Sequence, residues 1–396
     1  MKNKVELLAP AGDLERLKIA LKYGADAVYV GGPLLNLRAN AINFSIDELK
    51  EGIKYAHSLN KKVYVTVNII LHNRELDEVD NYLKNLKDIN VDAIIISDPS
   101  IIPIAKKYNI EIHLSTQQST LNYEAVSFWK DQGVTRVVLA RECSRDDIEK
   151  IMNRVDTEIE TFIHGAMCAG YSGRCVMSNV LTNRDANRGG CSQICRWDFD
   201  LYNDEMKKIK GEMPFTFCSK DLSMLKHIPE MIEMGITSFK IEGRMRSQYY
   251  IATVVSVYRR IIDNYYHNIK DDEYNKYEQI LRNCANRDSI VQFFDGNYDS
   301  SCSYYNGRVE VSNQDFLGIV LNYDKNKSIA TIEQRNFFKK GDVVEIFGPN
   351  HIYTFTVDDI YDEEGNIIDV VRHPRQIVTL HIDYTLDIDD MIRVKK

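Results

Sequence analysis

The chain has 396 residues, of which 44% are hydrophobic and 27% are charged, and its formal net charge is -8. These proportions are typical of a folded globular protein and exclude collagen, coiled coil and intrinsic disorder. No apolar run approaches the roughly 18 residues that span a bilayer, and the N-terminus lacks the apolar core of a signal peptide. We therefore expect a cytoplasmic protein of two domains, without a membrane partner, that meets any polyanion through a local basic patch.

Short β-branched runs alternate with amphipathic segments through the first 250 residues. The candidate strands are residues 5–8, 27–30, 63–67, 93–96, 112–114, 137–139, 159–163 and 239–241. Helical patterns lie between them, and Asp13 and Ser45 are predicted helix N-caps. Eight βα units favour a closed (β/α)8 TIM-like barrel over an open doubly wound sheet, so we predict an α/β fold.

One of these units contains a very long loop. More than fifty residues separate the strand that ends near His164 from a helix predicted to begin near Leu222. A loop of this length in a compact domain is commonly functional. It follows a barrel strand, so it lies at the C-terminal face, where such barrels carry their active sites. We treat residues 165–221 as a cysteine-rich insertion after strand 7 of a barrel formed by residues 1–268.

The pattern changes after the barrel. Residues 269–312 contain a polar helical pattern followed by a stretch rich in Asn, Asp, Ser and Tyr, which predicts a helical and irregular connector. Residues 313–396 contain only strand patterns, separated by turn signals such as Lys340-Gly341-Asp342. A run of short strands without helices predicts a small antiparallel β-barrel as the C-terminal domain.

Half of the eight cysteines lie close together in the insertion: Cys168, Cys175, Cys191 and Cys195. A structural zinc ion prefers ligand pairs with two to four intervening residues, and only Cys191 and Cys195 have that spacing. Irregular, well-separated cysteines are compatible with an iron–sulfur cluster held by four thiolates. The spacing favours a cluster but leaves open a zinc ion, or buried or redox-active thiols without a metal.

A basic patch accompanies the cysteines. Residues 164–197 contain one acidic residue, Asp185, and four arginines: Arg174, Arg184, Arg188 and Arg196. Further cations lie near the neighbouring strand ends: Lys220, Lys240, Arg244 and Arg246. Arginine binds phosphate in bidentate fashion and stacks on bases, so this patch suits RNA or a dicarboxylate. The predicted substrate ligands are Arg174, Arg188, Arg196 and Lys220. Alternatively, the arginines form a structural network of ion pairs with nearby aspartates.

Three residues at strand ends are candidate catalytic groups: His164, Glu242 and Arg244. An imidazole with a pKa of roughly 6.5 can donate or accept a proton, but His164 could equally hydrogen-bond the loop backbone. Glu242 and Arg244 could bind substrate or form an internal ion pair. Trp197, next to Arg196, is a candidate platform for stacking a base.

Peptidase chemistry has little support in the residues themselves. There is no HExxH motif, and His164 is followed by Gly165. Ser172 lacks the sequence pattern of a nucleophile elbow. A Cys168–His164 pair leaves a cysteine peptidase open, although a thiolate that ligates a cluster is not free to attack a peptide bond.

Motifs along most of the chain resemble those of one known family. They are His164-Gly165-Ala166-Met167-Cys168, Tyr171-Ser172-Gly173-Arg174-Cys175, Ala9-Pro10-Ala11-Gly12-Asp13, Ser115-Thr116-Gln117, residues 191–197, Ser219-Lys220-Asp221-Leu222, Lys240-Ile241-Glu242-Gly243-Arg244 and Ala285-Asn286-Arg287. By these motifs the chain is identified as a member of the collagenase-like peptidase family, peptidase family thirty-two of unassigned type. The β-rich tail also resembles the C-terminal domain of the longer members.

The resemblance implies RNA chemistry rather than fixing a single reaction. Branches of this family hydroxylate the wobble uridine of tRNA with prephenate, a cytidine of large-subunit ribosomal RNA, or ubiquinone, and carry iron–sulfur clusters on cysteines of this loop. The motifs and the tail are most similar to the tRNA branch. This similarity implies a 4Fe-4S cluster, tRNA as partner, prephenate as co-substrate and an electron donor. Collagenase-like peptidase activity, or hydroxylation of another nucleobase or aromatic substrate, is the alternative.

Cys218 is a departure from the family pattern. It stands where the family leads us to expect Asn or Ser, directly before Ser219-Lys220-Asp221. A thiol at this position could compete with one of the four insertion cysteines as a cluster ligand. The identity of the fourth ligand therefore stays open at the level of sequence.

Overall fold

The structure is a computed structural model that describes residues 4–37, 43–209, 211, 213–265, 270–296, 298–305 and 315–395. Its first ten strands are β1 (Glu6–Ala11), β2 (Ala27–Gly31), β3 (Lys62–Val67), β4 (Ala93–Ile96), β5 (Glu111–Leu114), β6 (Arg136–Val138), β7 (Glu158–Gly165), β8 (Asp221–Ser223), β9 (Ser238–Ile241) and β10 (Ser289–Ile290). Strands β1 to β7 pair in parallel and in order, and β9 closes the ring by pairing with β7 and β1. The predicted (β/α)8 barrel is confirmed.

Ten α-helices lie in the described residues. They are α1 (Leu14–Lys22), α2 (Ile46–Ser58), α3 (Asn73–Asp88), α4 (Ile101–Lys107), α5 (Tyr123–Asp131), α6 (Arg145–Met152), α7 (Met177–Thr182), α8 (Ile228–Glu233), α9 (Gln248–Asn264) and α10 (Asp271–Cys284). Of these, α7 belongs to the insertion and not to the outer layer of the barrel. Asp13 caps α1 by accepting from the Arg16 amide, and Ser45 forms a capping box with Glu48 at α2. Because helices cover them on one side and the barrel interior on the other, β2 and β4 are buried along their whole length.

The predicted helix start near Leu222 is wrong. Residues Asp221–Ser223 form strand β8, which runs antiparallel to the end of β7 and parallel to β10. The backbone of this segment is used in those two pairings, and α8 begins only at Ile228, with a proline in its first turn. Strand β8 thus brings the end of the insertion back beside the C-terminal end of β7.

The C-terminal part contains ten further strands. They are β11 (Phe316–Asp324), β12 (Ile329–Gln334), β13 (Phe338–Lys339), β14 (Val343–Phe347), β15 (Ile352–Thr356), β16 (Ile360–Tyr361), β17 (Ile367–Ile368), β18 (Val370–Val371), β19 (Ile377–His381) and β20 (Met391–Val394). Eight of them form an antiparallel sheet in the order β15-β14-β20-β11-β12-β19-β16-β17, a half-barrel with a core of its own, while β13 pairs with β18. The predicted antiparallel C-terminal domain is confirmed.

The half-barrel packs against α1 and α9 of the barrel. The Tyr23 hydroxyl donates to the Asp389 carbonyl at 2.8 Å, and the Tyr249 ring stacks on Phe316 with centroids 4.8 Å apart. Arg260 donates to the carbonyls of the turn that follows β14. The two predicted domain boundaries, 268/269 and 312/313, lie outside the described residues.

Candidate active site

A cavity of about 190 Å³ opens at the C-terminal ends of the barrel strands. We call it the barrel cavity. Strand residues on its wall include Tyr29, Thr66, Ile95, Val138, Phe162 and Lys240, and insertion residues include Cys168, Cys175, Cys191, Gln193 and Cys195. The insertion therefore supplies one side of a pocket whose other side is the barrel itself, the usual place for the active site of this fold.

All four cysteines predicted as ligands line the barrel cavity. Cys168 and Cys191 are exposed, whereas Cys175 and Cys195 are partly buried. Burial, together with negative charge on Cys168, Cys191 and Cys218, raises the pKa of Cys195 to about 11. The thiols are thus close enough to affect one another, which is the arrangement that a polynuclear centre with thiolate ligands requires.

Cys218 lies beside this group. It is 1% exposed and interacts electrostatically with Cys195, although it follows Cys195 by more than twenty residues in the chain. The donor set of five thiols therefore fits a four-ligand cluster, with Cys175 and Cys218 as the two candidates for the fourth position. Among the residues that the structure describes, no three Cys, His, Asp or Glu side chains are grouped tightly enough to hold a single metal ion.

Contacts with several barrel loops hold the insertion in place. The Ser172 carbonyl accepts from the Ser119 hydroxyl at 2.9 Å, and the Ser172 hydroxyl lies 3.0 Å from Nη1 of Arg141. Gly173 has φ +76°, and a Cβ atom there would collide with the Gln117 carbonyl. A glycine is therefore needed where the insertion passes over the loop after β5.

The structure places Arg188 in contact with the barrel. Its Nη2 lies 2.6 Å from Oε1 of Glu75 at the start of α3, and its Nη1 donates to the Ile70 carbonyl. Both charged side chains are largely buried. Through these contacts Arg188 anchors the insertion to the barrel, and its role as a phosphate ligand stays a prediction.

His164 lies in a buried position. It is 2% exposed, its Nδ1 lies 3.2 Å from the Tyr258 hydroxyl, and it is not among the described residues that line the barrel cavity. Burial, together with the charge of Arg246, lowers the pKa of His164 to about 3. The low pKa favours the neutral imidazole, which packs against Tyr258 of α9, and the catalytic role of His164 stays a prediction.

The other two predicted catalytic residues, Glu242 and Arg244, do line the barrel cavity. Arg244 is buried, with Nη1 3.2 Å from the Thr66 hydroxyl and Nη2 3.4 Å from Oδ1 of Asn36. These contacts fix the position of the guanidinium at the cavity wall.

The remaining predicted substrate ligands are more dispersed. Arg174 is exposed and is not among the described cavity-lining residues. The Lys220 ammonium lies 5.8 Å from the centre of the Tyr304 ring. Arg196 and Trp197 line a neighbouring depression rather than the barrel cavity.

Two further cations line the barrel cavity and were not among the predicted site residues. The Arg141 guanidinium lies 3.8 Å from the centre of the Phe162 ring, and the Lys240 ammonium lies 4.6 Å from that of Tyr29. Lys240, on β9, belongs to the predicted basic patch but not to the predicted substrate ligands. Arg141 was not predicted at all, although its position within three residues of the end of β6 is a signal that could have identified it.

Comparison with known proteins places this architecture in a family. The model of peptidase family U32 matches residues 12–303, and that of the U32 C-terminal domain matches residues 312–393. The chain belongs to peptidase family U32. The resemblance seen in the sequence motifs is therefore confirmed.

Three U32 relatives carry different names. The tRNA hydroxylation protein P1 of Bacillus subtilis is 50% identical over 403 residues, which cover 100% of this chain and 96% of that protein. The 23S rRNA 5-hydroxycytidine C2501 synthase of Escherichia coli is 39% identical over 261 residues, which cover 66% of this chain and 40% of that protein. A collagenase of Porphyromonas gingivalis is 30% identical over a match that covers 88% of this chain and 87% of that protein.

In the described part of the chain, no helix has the length and apolar character to cross a membrane.

Proposed function

We propose that this protein is a cytoplasmic RNA-modifying enzyme that hydroxylates C5 of the wobble uridine in tRNA. The observation that carries the proposal is the barrel cavity, which combines the insertion cysteines with apolar, aromatic and cationic side chains at the ends of barrel strands. The 50% identity over the whole chain to a protein named for tRNA hydroxylation supports the same substrate.

The cavity suits a single nucleobase. Its wall includes Tyr29, Ile95, Val138 and Phe162, which offer aromatic and aliphatic surface to a flat ring. A base inside a helix cannot reach such a pocket, whereas an unstacked base of an RNA loop can be splayed out and inserted. The wobble nucleotide, in the anticodon loop, meets this requirement.

The insertion cysteines are proposed to hold a 4Fe-4S cluster at the wall of this cavity. When bound, the cluster would supply redox chemistry next to the base. Replacing C5–H of uridine by C5–OH oxidises the base by two electrons, so the oxygen donor or a separate redox partner must accept them. The protein's own residues position the base and exclude competing solvent.

Prephenate, the co-substrate implied by the family, fits the charges of the cavity. Prephenate carries two carboxylates, and three cations line the wall: Arg141, Lys240 and Arg244. The Arg244 guanidinium is held in place by the Thr66 hydroxyl and the Asn36 side chain, and a guanidinium can bind a carboxylate in bidentate fashion. Lys240 is paired with a buried carboxylate and contributes mainly a fixed positive potential.

An in vitro assay separates this function from the peptidase alternative. Anaerobically purified protein is incubated with tRNA and prephenate, and in parallel with denatured collagen, and the products are analysed by mass spectrometry. We expect 5-hydroxyuridine in the tRNA and intact collagen. Collagen cleavage that depends on Cys168, without any change in the tRNA, would reverse the assignment.

A further inference from the structure

A second depression of about 260 Å³ lies beside the barrel cavity. We call it the arginine pocket, and its wall consists of Ser192, Gln193, Arg196, Trp197, Arg246, Asn286 and Arg287. Gln193 lines both the arginine pocket and the barrel cavity, so the two are adjacent. The pocket draws its residues from the insertion, from the loop after β9 and from the segment after α10.

The arginine pocket has more positive than negative charge. Arg287 and Arg246 share one carboxylate, with Arg287 Nη2 2.6 Å from Oδ1 of Asp221 and Arg246 Nη2 3.4 Å from its Oδ2. The third guanidinium, that of Arg196, donates to the neutral side chain of Gln193 at 2.7 Å. Even with Glu242 of the adjacent cavity counted beside Asp221, the three arginines leave an uncompensated cation.

Arg287 also has a donor that the protein does not satisfy. Its side chain is only 5% exposed, and its Nε atom is buried without a hydrogen-bond partner in the part of the chain that the structure describes. A buried N–H group costs free energy until an acceptor satisfies it, and on a pocket wall a ligand can supply that acceptor. An anion with several oxygens is the ligand that suits three converging guanidinium groups.

Trp197 indicates what the anion is attached to. Its side chain lies on the same pocket wall and is 47% exposed, which is unusual for the largest apolar side chain. A half-exposed indole beside arginines is a surface on which a nucleobase can stack. A phosphate next to a stacked base is the repeating unit of RNA.

We propose that the arginine pocket binds a phosphodiester of the RNA strand, adjacent to the nucleotide whose base enters the barrel cavity, while Trp197 stacks on a neighbouring base. This inference rests on the proposed function and deepens it, because it locates the contact that brings the RNA strand to the cavity. Because Gln193 lines both cavities, a strand bound in the arginine pocket lies next to the opening of the barrel cavity.

The test measures tRNA affinity as a function of salt concentration for wild type and for Arg246→Gln and Arg196→Gln. Each lost phosphate contact should weaken binding and reduce the slope of log affinity against log salt by about 0.7 to 0.9. Trp197→Leu should weaken binding with an unchanged slope, because stacking releases no counterions. The matched control is Arg282→Gln on α10, which removes the same charge from a side chain that is 65% exposed, and it should leave both quantities unchanged.

Two variants keep the test decisive if one of them misfolds. Arg246 and Arg287 share the buried Asp221, so replacing Arg246 removes an ion pair. The described side-chain hydrogen bond of Arg196 goes to the neutral Gln193, so Arg196→Gln should retain the native unfolding transition. Binding of uridine monophosphate, measured in parallel, separates a free nucleotide from an RNA strand. Loss of uridine monophosphate binding in these variants, with an unchanged salt slope for tRNA, would overturn the RNA assignment.

The remaining outcomes separate this inference from the proposed function. If folded Arg246→Gln and Arg196→Gln bind tRNA with the wild-type affinity and slope, while the wild type hydroxylates tRNA, the pocket is not a phosphate site and the proposed function stands. If the wild type neither binds nor modifies tRNA, both proposals fail together.

Discussion

The ammonium of Lys240 lies 2.6 Å from a carboxylate oxygen of Glu160, and both side chains are buried inside the barrel. Arg136 lies 3.3 Å from the same carboxylate and 2.6 Å from Glu6. Burial alone would raise the pKa of Glu160, but Lys240 and Arg136 together hold it below its ordinary value. An ionised network therefore connects the interior of the barrel to the wall of the cavity.

This network predicts a large effect on stability. Lys240→Met should lower the free energy of unfolding by on the order of 3 kcal/mol, because it leaves a buried carboxylate with one of its two cations. Urea denaturation monitored by circular dichroism measures the change. Combining Lys240→Met with Glu160→Gln should recover most of the loss. A Lys240→Met protein as stable as the wild type would show that the pair is not formed in solution.

The sequence was sufficient for the barrel but not for this network. Periodic β-branched runs identify strands because every barrel strand must bury both faces, and β4 was placed to the residue. Glu160 and Lys240 are 80 positions apart, and their contact depends on β9 closing the ring against β7. Local patterns contain no information about such a closure.

For the candidate site, the sequence predicted which cysteines come together but not which arginines line a pocket. The four insertion cysteines were identified by clustering, and the structure brings them to one cavity. Charge alone, however, could not distinguish Arg188, which pairs with Glu75 113 positions away, from Arg246 and Arg287 on the wall of the arginine pocket. The position of His164 at a strand end likewise does not reveal that its side chain packs against α9.

Buried His164 predicts a specific dependence of stability on pH. Its pKa is lowered to about 3 in the folded protein and is roughly 6.5 when unfolded. Between these values the unfolded state binds more protons, so the stability falls as the pH falls, by up to about 1.4 kcal/mol per pH unit. The difference in unfolding free energy between the wild type and His164→Asn should narrow accordingly from pH 6 to pH 4. A difference that is constant across this range would contradict the buried neutral imidazole.

Replacing Arg188 should loosen the insertion without weakening phosphate binding. Arg188→Ala should increase proteolysis within the insertion, since it removes the contacts with Glu75 and with the Ile70 carbonyl. Glu75→Gln weakens the same ion pair with the opposite change in net charge, and it should also increase proteolysis within the insertion. The salt dependence of tRNA binding should remain that of the wild type. A slope reduced by about 0.7 to 0.9 in Arg188→Ala would instead indicate a phosphate contact.

Cluster ligation predicts a pattern of iron loss. Anaerobically purified wild type should be brown and contain about four irons per chain. Alanine variants of Cys168, Cys191 and Cys195 should lose the iron, whereas variants of the buried Cys284 and Cys302 should retain it. Of Cys175 and Cys218, the residue whose replacement abolishes the cluster is the fourth ligand. A colourless protein with one zinc, or equal iron loss in all variants, would contradict this arrangement.

The nucleoside composition of cellular tRNA shows whether the protein hydroxylates the wobble uridine. Mass spectrometry is applied to tRNA from a strain that lacks the gene, and from the same strain carrying either the wild-type gene or the Cys191→Ala variant. We predict that 5-hydroxyuridine and its derivatives fall in the deletion strain, return with the wild type and stay low with the variant. Unchanged 5-hydroxyuridine in the deletion strain, when no second gene supplies it, would contradict the account.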